Sequence, residues 1–116
     1  MHADTWQAAL IAALVVNAAL GFGYRVFRLT KGGPIADVAG QAVLGVVLVA
    51  LAAGTAAGVS WARWGALAYA LLFGLVVMPV WTLAVLIPQR PGALDVGYAV
   101  VYWVALAVAA VASIAL

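Results

Sequence analysis

Four long apolar runs dominate this sequence, and the short segments between them carry half of its charged residues and three of its four prolines. An α-helix needs about 20 apolar residues to cross the hydrocarbon core of a bilayer, and each run reaches that length. In lipid only helices or closed barrels satisfy the backbone, and the runs lack the polar–apolar alternation of barrel strands. We therefore predict an all-α polytopic membrane protein with four transmembrane helices in an up-down bundle with short loops. The predicted spans are residues 6–27, 37–59, 64–87 and 93–116.

The composition indicates that lipid is the solvent of this chain. Hydrophobic residues make up 70% of its 116 residues and charged residues only 7%, whereas a soluble domain carries roughly 25% charged residues. The four spans use nearly the whole chain, so we expect a single transmembrane domain over residues 1–116 without a soluble catalytic domain. Cysteine is absent, which excludes disulfides and thiolate chemistry.

The orientation is predicted from the basic residues of the loops. The first and third loops hold four of the five, while the second holds one; these are Arg25, Arg28, Lys31 and Arg90 against Arg63. Because basic loops stay in the cytoplasm, we place these two loops inside and both termini outside, in the plasma (inner) membrane. Aromatic rings are expected at the two interfaces: Trp6, Trp61, Trp64 and Tyr69 outside, and Tyr24, Phe27, Trp81 and Tyr98 inside.

No Asp, Glu, Lys, Arg or His falls in the middle of a predicted span. Such residues usually mark ion pathways and proton relays, so their absence argues against a proton-coupled pump. A lone His2 provides no metal site, and no span offers a haem ligand pair. We therefore expect no enzymatic activity, no metal and no cofactor. The five basic residues are explained by membrane topology, and we expect no nucleic-acid partner.

Polar residues within the spans are few, and Asn17 lies near the centre of the first. An amide facing lipid would leave its donors and acceptors unpaired at a cost of several kcal/mol. We therefore predict that Asn17 faces another helix and hydrogen-bonds to Tyr102, which lies at similar depth. Gln41, Thr55 and Thr82 are the other candidates. The five residues serve helix packing in one interpretation and line a path between protomers in the other.

Small residues at four-residue spacing form ridges that let helices approach closely. The second span presents Ala50, Gly54 and Gly58 as a contact ridge, and the third presents Ala66, Ala70 and Gly74. These ridges are expected to pack within the chain or between copies.

Pro79 interrupts the third span. Since proline has no amide donor, it removes the backbone hydrogen bond to Leu75 and should kink the helix. Thr82, which follows closely, is expected to help satisfy the loosened backbone.

The first loop carries Arg25, Arg28 and Lys31 beside two glycines. We expect these residues to contact anionic lipid headgroups or an acidic face of a partner.

Residues 34–43 and 91–100 resemble each other, because each segment has a proline followed by an aspartate and then Val, Gly and Ala-Val. A duplicated helical hairpin would produce this similarity. Convergence on good helix starts explains it as well, since proline suits a first turn and aspartate favours the positive end of the helix dipole.

Two functional hypotheses remain. The first is a non-catalytic accessory or structural subunit that acts through helix packing and lipid contact in a homo-oligomer or a larger membrane complex. The alternative is a small oligomeric transporter or channel with its path between protomers.

Overall fold

The computed structural model describes residues 3–88 and 92–116, and it confirms the four-helix prediction. The first helix is Ala3–Thr30, the second Ile35–Ala56 and the fourth Ala93–Ala115. The third begins as Ser60–Leu72 and continues without a break through Phe73–Val77 and Met78–Trp81 to Thr82–Leu86. All four are long and apolar enough to cross a membrane, so the chain is a helical membrane protein. No strand occurs within the two described ranges.

The helices pack as a ring of antiparallel neighbours. The first contacts the second and the fourth, and the third also contacts the second and the fourth. The bundle measures 43 × 22 × 20 Å, and its long dimension matches a bilayer with its headgroup regions, about 40–45 Å.

Two glycines set the first two turns, and they explain why the helix ends differ from the predicted ones. Gly32 and Gly58 have φ angles of 90° and 77°, which a residue with a side chain rarely adopts. The second helix therefore ends at Ala56 rather than 59, and the third begins at Ser60 rather than 64. The first helix continues past the predicted end to Thr30. Arg90 and Pro91, in the third loop, lie outside the described residues.

Pro79 lies in a short α-helical turn with a wider π-helical turn on each side, at Phe73–Val77 and Thr82–Leu86. The amide of Met78 donates to the carbonyl of Phe73, five residues back. In that register the next donor would be residue 79, and its acceptor would be the carbonyl of Gly74. Proline has no amide, so this carbonyl is left without a backbone partner.

Trp103 of the fourth helix supplies the missing donor. Its indole Nε1 donates to the Gly74 carbonyl at 3.0 Å. The hydroxyl of Thr82 instead finds no hydrogen-bond partner among the described residues. The prediction that Thr82 compensates for the proline is therefore wrong, because the freed carbonyl faces the fourth helix and Thr82 follows on a separate turn.

Candidate functional site

Three polar side chains from three helices form a hydrogen-bonded chain in the interior. The amide Nδ2 of Asn17 donates to the hydroxyl of Tyr69 at 3.0 Å, and the hydroxyls of Tyr69 and Tyr102 are 2.6 Å apart. Asn17 and Tyr102 are each only 1% exposed. The prediction that Asn17 bonds directly to Tyr102 is wrong, because Tyr69 of the third helix lies between them. The oxygen of the same amide, Asn17 Oδ1, has no hydrogen-bond partner among the described residues.

The sequence predicts Tyr69 at the outer interface, yet the residue is buried and is part of this hydrogen-bonded network. The third helix buries the face formed by Ala62, Ala66, Tyr69 and Ala70. These positions recur at three- and four-residue intervals, so the small-residue ridge predicted on this helix already indicated which face is buried. A tyrosine on the same face as a ridge points inward with it.

Gln41 lies over Gly21 at the contact between the first and second helices. A Cβ atom on Gly21 would collide with the Gln41 side-chain oxygen and would come within 3.6 Å of the Tyr102 ring. The absence of a side chain at Gly21 therefore makes room for the amide. Gln41 is half-buried and lies beside the interior chain.

Thr55 and Thr82 lie far from this region and from each other along the bundle. Thr55 is buried at the end of the second helix, where its hydroxyl donates to the carbonyl of Leu51 at 2.8 Å. Thr82 lies near the other end, in the π-helical turn after Pro79. The candidate path residues Asn17, Gln41, Thr55, Thr82 and Tyr102 therefore do not form one cluster within a single chain.

The three residues of the contact ridge predicted on the second helix lie in three different environments. Ala50 is exposed on the bundle surface. Gly54 packs against the third helix, since a Cβ there would come within 2.9 Å of the Cβ of Ala62. Gly58 lies in the turn beyond the end of the helix. Of the three, Ala50 alone is left exposed on the helix itself.

Aromatic rings fill the end of the bundle near the first loop, which we call the basic end. The rings of Tyr24 and Tyr98 stack at 3.8 Å and 5°, and Trp81 meets both edge-on at 6.0 and 5.7 Å. Tyr24 and Tyr98 are each 5% exposed. They therefore lie inside the bundle and join three helices, rather than facing headgroups as an interfacial belt would.

Each aspartate of the similar segments meets the end of the first helix. Asp95 accepts a hydrogen bond from the Tyr24 hydroxyl at 2.7 Å, and Arg28 approaches the same oxygen at 3.7 Å. Its second oxygen accepts from the Gly92 amide at 3.0 Å, which caps the fourth helix. Asp37 of the second helix pairs with Arg25 at 3.9 Å.

The predicted headgroup residues differ in how far they face outward. The side chains of Arg25 and Arg28 are 16% and 28% exposed. The Arg25 guanidinium lies over the rings of Tyr24 and Trp81, 5.5 Å from each ring centre, within the range of a cation–π contact. Lys31 is exposed in the turn. Arg25 therefore serves the packing of this end, while Lys31 extends to the surface.

The opposite end of the bundle, which we call the Arg63 end, uses other contacts. Arg63 donates from Nε to the carbonyl of Ser113 at 2.6 Å and from a terminal nitrogen to that of Ile114 at 3.0 Å. Gln7 donates to the carbonyls of Thr55 and Ala56 at 2.6 and 3.4 Å. Both side chains thus bind the last carbonyls of a neighbouring helix.

Over residues 3–88 and 92–116, no three His, Cys, Asp or Glu side chains converge as a metal site would require. The chain matches no protein-family model, no curated protein sequence and no solved structure.

Proposed function

We propose that this chain is a non-catalytic membrane subunit or accessory protein that acts through helix packing and lipid contact in an oligomer or larger membrane complex. The observation that carries the proposal is the burial of Asn17. Its amide is 1% exposed and bonded to Tyr69, so the strongest polar candidate at mid-depth is used to join helices. Interhelical hydrogen bonds of this kind stabilise membrane bundles by about 0.6–2 kcal/mol.

The second helix offers the surface for assembly. Only 17% of its most apolar window is buried, against 44% for the fourth helix. Its outward face carries Val43, Val46 and Ala50. In lipid, helices associate by close van der Waals packing rather than by the hydrophobic effect, and small or β-branched side chains suit that contact. The remaining part of the predicted ridge, Ala50, lies on this face.

The test is the assembly state of the purified protein in mild detergent, measured by native mass spectrometry. We expect a complex of defined stoichiometry, and Ala50→Phe should dissociate it because the larger side chain prevents close approach. Ala12→Phe, at an exposed position of the first helix, is the matched control and should leave the assembly intact. A protein that is monomeric at every concentration and carries no partner contradicts the proposal.

The alternative is a small oligomeric transporter or channel with its path between protomers. The observation that favours it is that Asn17 Oδ1 has no hydrogen-bond partner within residues 3–88 and 92–116, because a buried acceptor without a partner is a candidate ligand for a passing solute. Ion and solute flux into proteoliposomes separates the two functions. Flux that is present in wild type and lost in Asn17→Leu, with assembly unchanged, supports the alternative.

A further inference from the structure

A groove of about 660 Å³ runs along the contact between the first and fourth helices on the half of the bundle next to the basic end. On the first helix it extends from Phe27 to Val16, and on the fourth from Ala93 to Val101. Its base includes the stacked rings of Tyr24 and Tyr98.

The length of the groove indicates what can occupy it. Residues 16–27 of a helix cover about 17 Å, and one leaflet contributes about 15 Å of hydrocarbon, half of the bilayer core. The groove therefore begins at a membrane surface and ends near mid-depth. A transmembrane helix of a partner would need a groove along the whole bundle, whereas an acyl chain of one leaflet fits this length.

Two glycines keep the groove open. Gly23 and Gly97 both line it, and a Cβ atom built on either residue meets no atom of the described residues within 4 Å, apart from its own stretch of helix backbone. Side chains added at these positions would enter the groove itself. A larger side chain at either position can therefore fill the groove without colliding with the rest of the protein.

A positive charge lies close to Phe27, at the loop end of the groove. The ammonium of Lys31 is 5.8 Å from the ring centre of Phe27, the lining residue nearest the loop. Lys31 is exposed in the turn directly after the first helix, where it also borders a smaller pocket together with Arg25 and Arg28. An apolar groove with a cation at its surface end matches a lipid that has an anionic headgroup.

We infer that this groove is a binding site for one acyl chain of an anionic phospholipid, whose phosphate is held by Lys31 at the basic end. This inference rests on the proposed function, in which the protein contacts lipid. It adds a defined position for one acyl chain of that lipid. It does not depend on assembly, because every residue involved belongs to one chain.

The test uses nanodiscs that contain equal amounts of phosphatidylglycerol and phosphatidylcholine. The protein is extracted in mild detergent, and the lipid retained per monomer is measured by native mass spectrometry. Wild type should retain phosphatidylglycerol preferentially. Lys31→Gln should reduce that preference by about fivefold, the effect of one basic residue near an anionic surface, and Lys31→Arg should preserve it.

Gly97→Leu should abolish retention of both lipids, because its side chain fills the groove. Gly40→Leu is the matched control: Gly40 also has open space around it, and it lies on the second helix away from the groove. Helical content and thermal unfolding should be unchanged in both variants.

Wild-type retention in Gly97→Leu, or equal retention of the two lipids by wild type, would overturn the site. If Gly97→Leu retains lipid while Lys31→Gln loses the preference, the headgroup contact stands and the tail site does not. A dimer of wild type that Gly97→Leu converts to monomer, without a change in lipid, assigns the groove to a second copy and also overturns the inference. Loss of assembly in Ala50→Phe alone bears only on the proposed function.

Discussion

The basic end and the Arg63 end of the bundle are held together by different chemistry, and chain direction explains the difference. The second and fourth helices begin at the basic end, where the first amides of a helix are unpaired and its dipole is positive. Aspartates lie there, and they attract the arginines of the first helix. The same helices finish at the Arg63 end, where the last carbonyls lack donors.

At the Arg63 end the side chains therefore donate to backbone carbonyls. Gln7 binds the end of the second helix and Arg63 the end of the fourth. Arg63, the single arginine or lysine at this end among the residues that the structure describes, thus caps the negative end of a helix dipole. The comparison indicates that polar residues at both ends serve mainly to pair with the unsatisfied groups of helix termini. The basic residues used to predict topology are among them.

The largest effect is expected from Asp95→Ala at the basic end. This change removes the acceptor of the Tyr24 hydroxyl and of the Gly92 amide, and it leaves Arg28 without this carboxylate. Hydrogen bonds to a charged group each contribute about 1.5–3 kcal/mol, so we expect a loss of about 3 kcal/mol. Unfolding in mixed micelles with a denaturing detergent measures it. Asp95→Asn keeps an acceptor oxygen but no charge, so its loss should be smaller than that of Asp95→Ala. An Asp95→Asn variant as stable as wild type would contradict the charge argument.

The corresponding test at the Arg63 end is Arg63→Leu. It removes two hydrogen bonds to the last carbonyls of the fourth helix, and we expect a loss of about 2 kcal/mol in the same unfolding assay. Arg63→Lys retains the charge but cannot reproduce the paired geometry of the guanidinium, so it should recover only part of the loss. Full recovery by lysine would show that the dipole interaction alone stabilises this end.

A side chain also donates to an unpaired backbone carbonyl in the middle of the third helix, as happens at the Arg63 end. There the Trp103 indole binds the Gly74 carbonyl freed by Pro79. Trp103→Phe should cost about 1 kcal/mol through that hydrogen bond. In a Pro79→Ala background residue 79 regains its amide, so the hydrogen-bond part of the cost should vanish. A double-mutant cycle in the unfolding assay measures the coupling. Additive effects of the two substitutions would contradict the assignment of Trp103 as the replacement donor.

These contacts also mark what the sequence can and cannot predict. The four spans, the burial of Asn17 and the small-residue face of the third helix follow from hydrophobicity and helical periodicity, which are local properties. The rotation of each helix about its axis, relative to its neighbours, is not local. The sequence therefore did not predict that Tyr69 lies between Asn17 and Tyr102, or that Trp103 rather than Thr82 faces the Gly74 carbonyl. Depth along a helix is predictable, whereas the partner at that depth depends on packing.

The smallest effect is expected from Asp37→Asn, and it separates the two aspartates of the similar segments. Asp37 is 48% exposed and pairs with Arg25 at 3.9 Å, whereas Asp95 is 14% exposed. Exposed ion pairs contribute about 0–1 kcal/mol and are screened by salt. We expect a loss of about 0.5 kcal/mol at low ionic strength that disappears in concentrated salt. The loss in Asp95→Ala should persist there, because the hydrogen bond from the Tyr24 hydroxyl is partly buried. A salt-independent loss at Asp37 would mean that both segments use their aspartates alike, and it would favour a duplicated hairpin over convergence on helix starts.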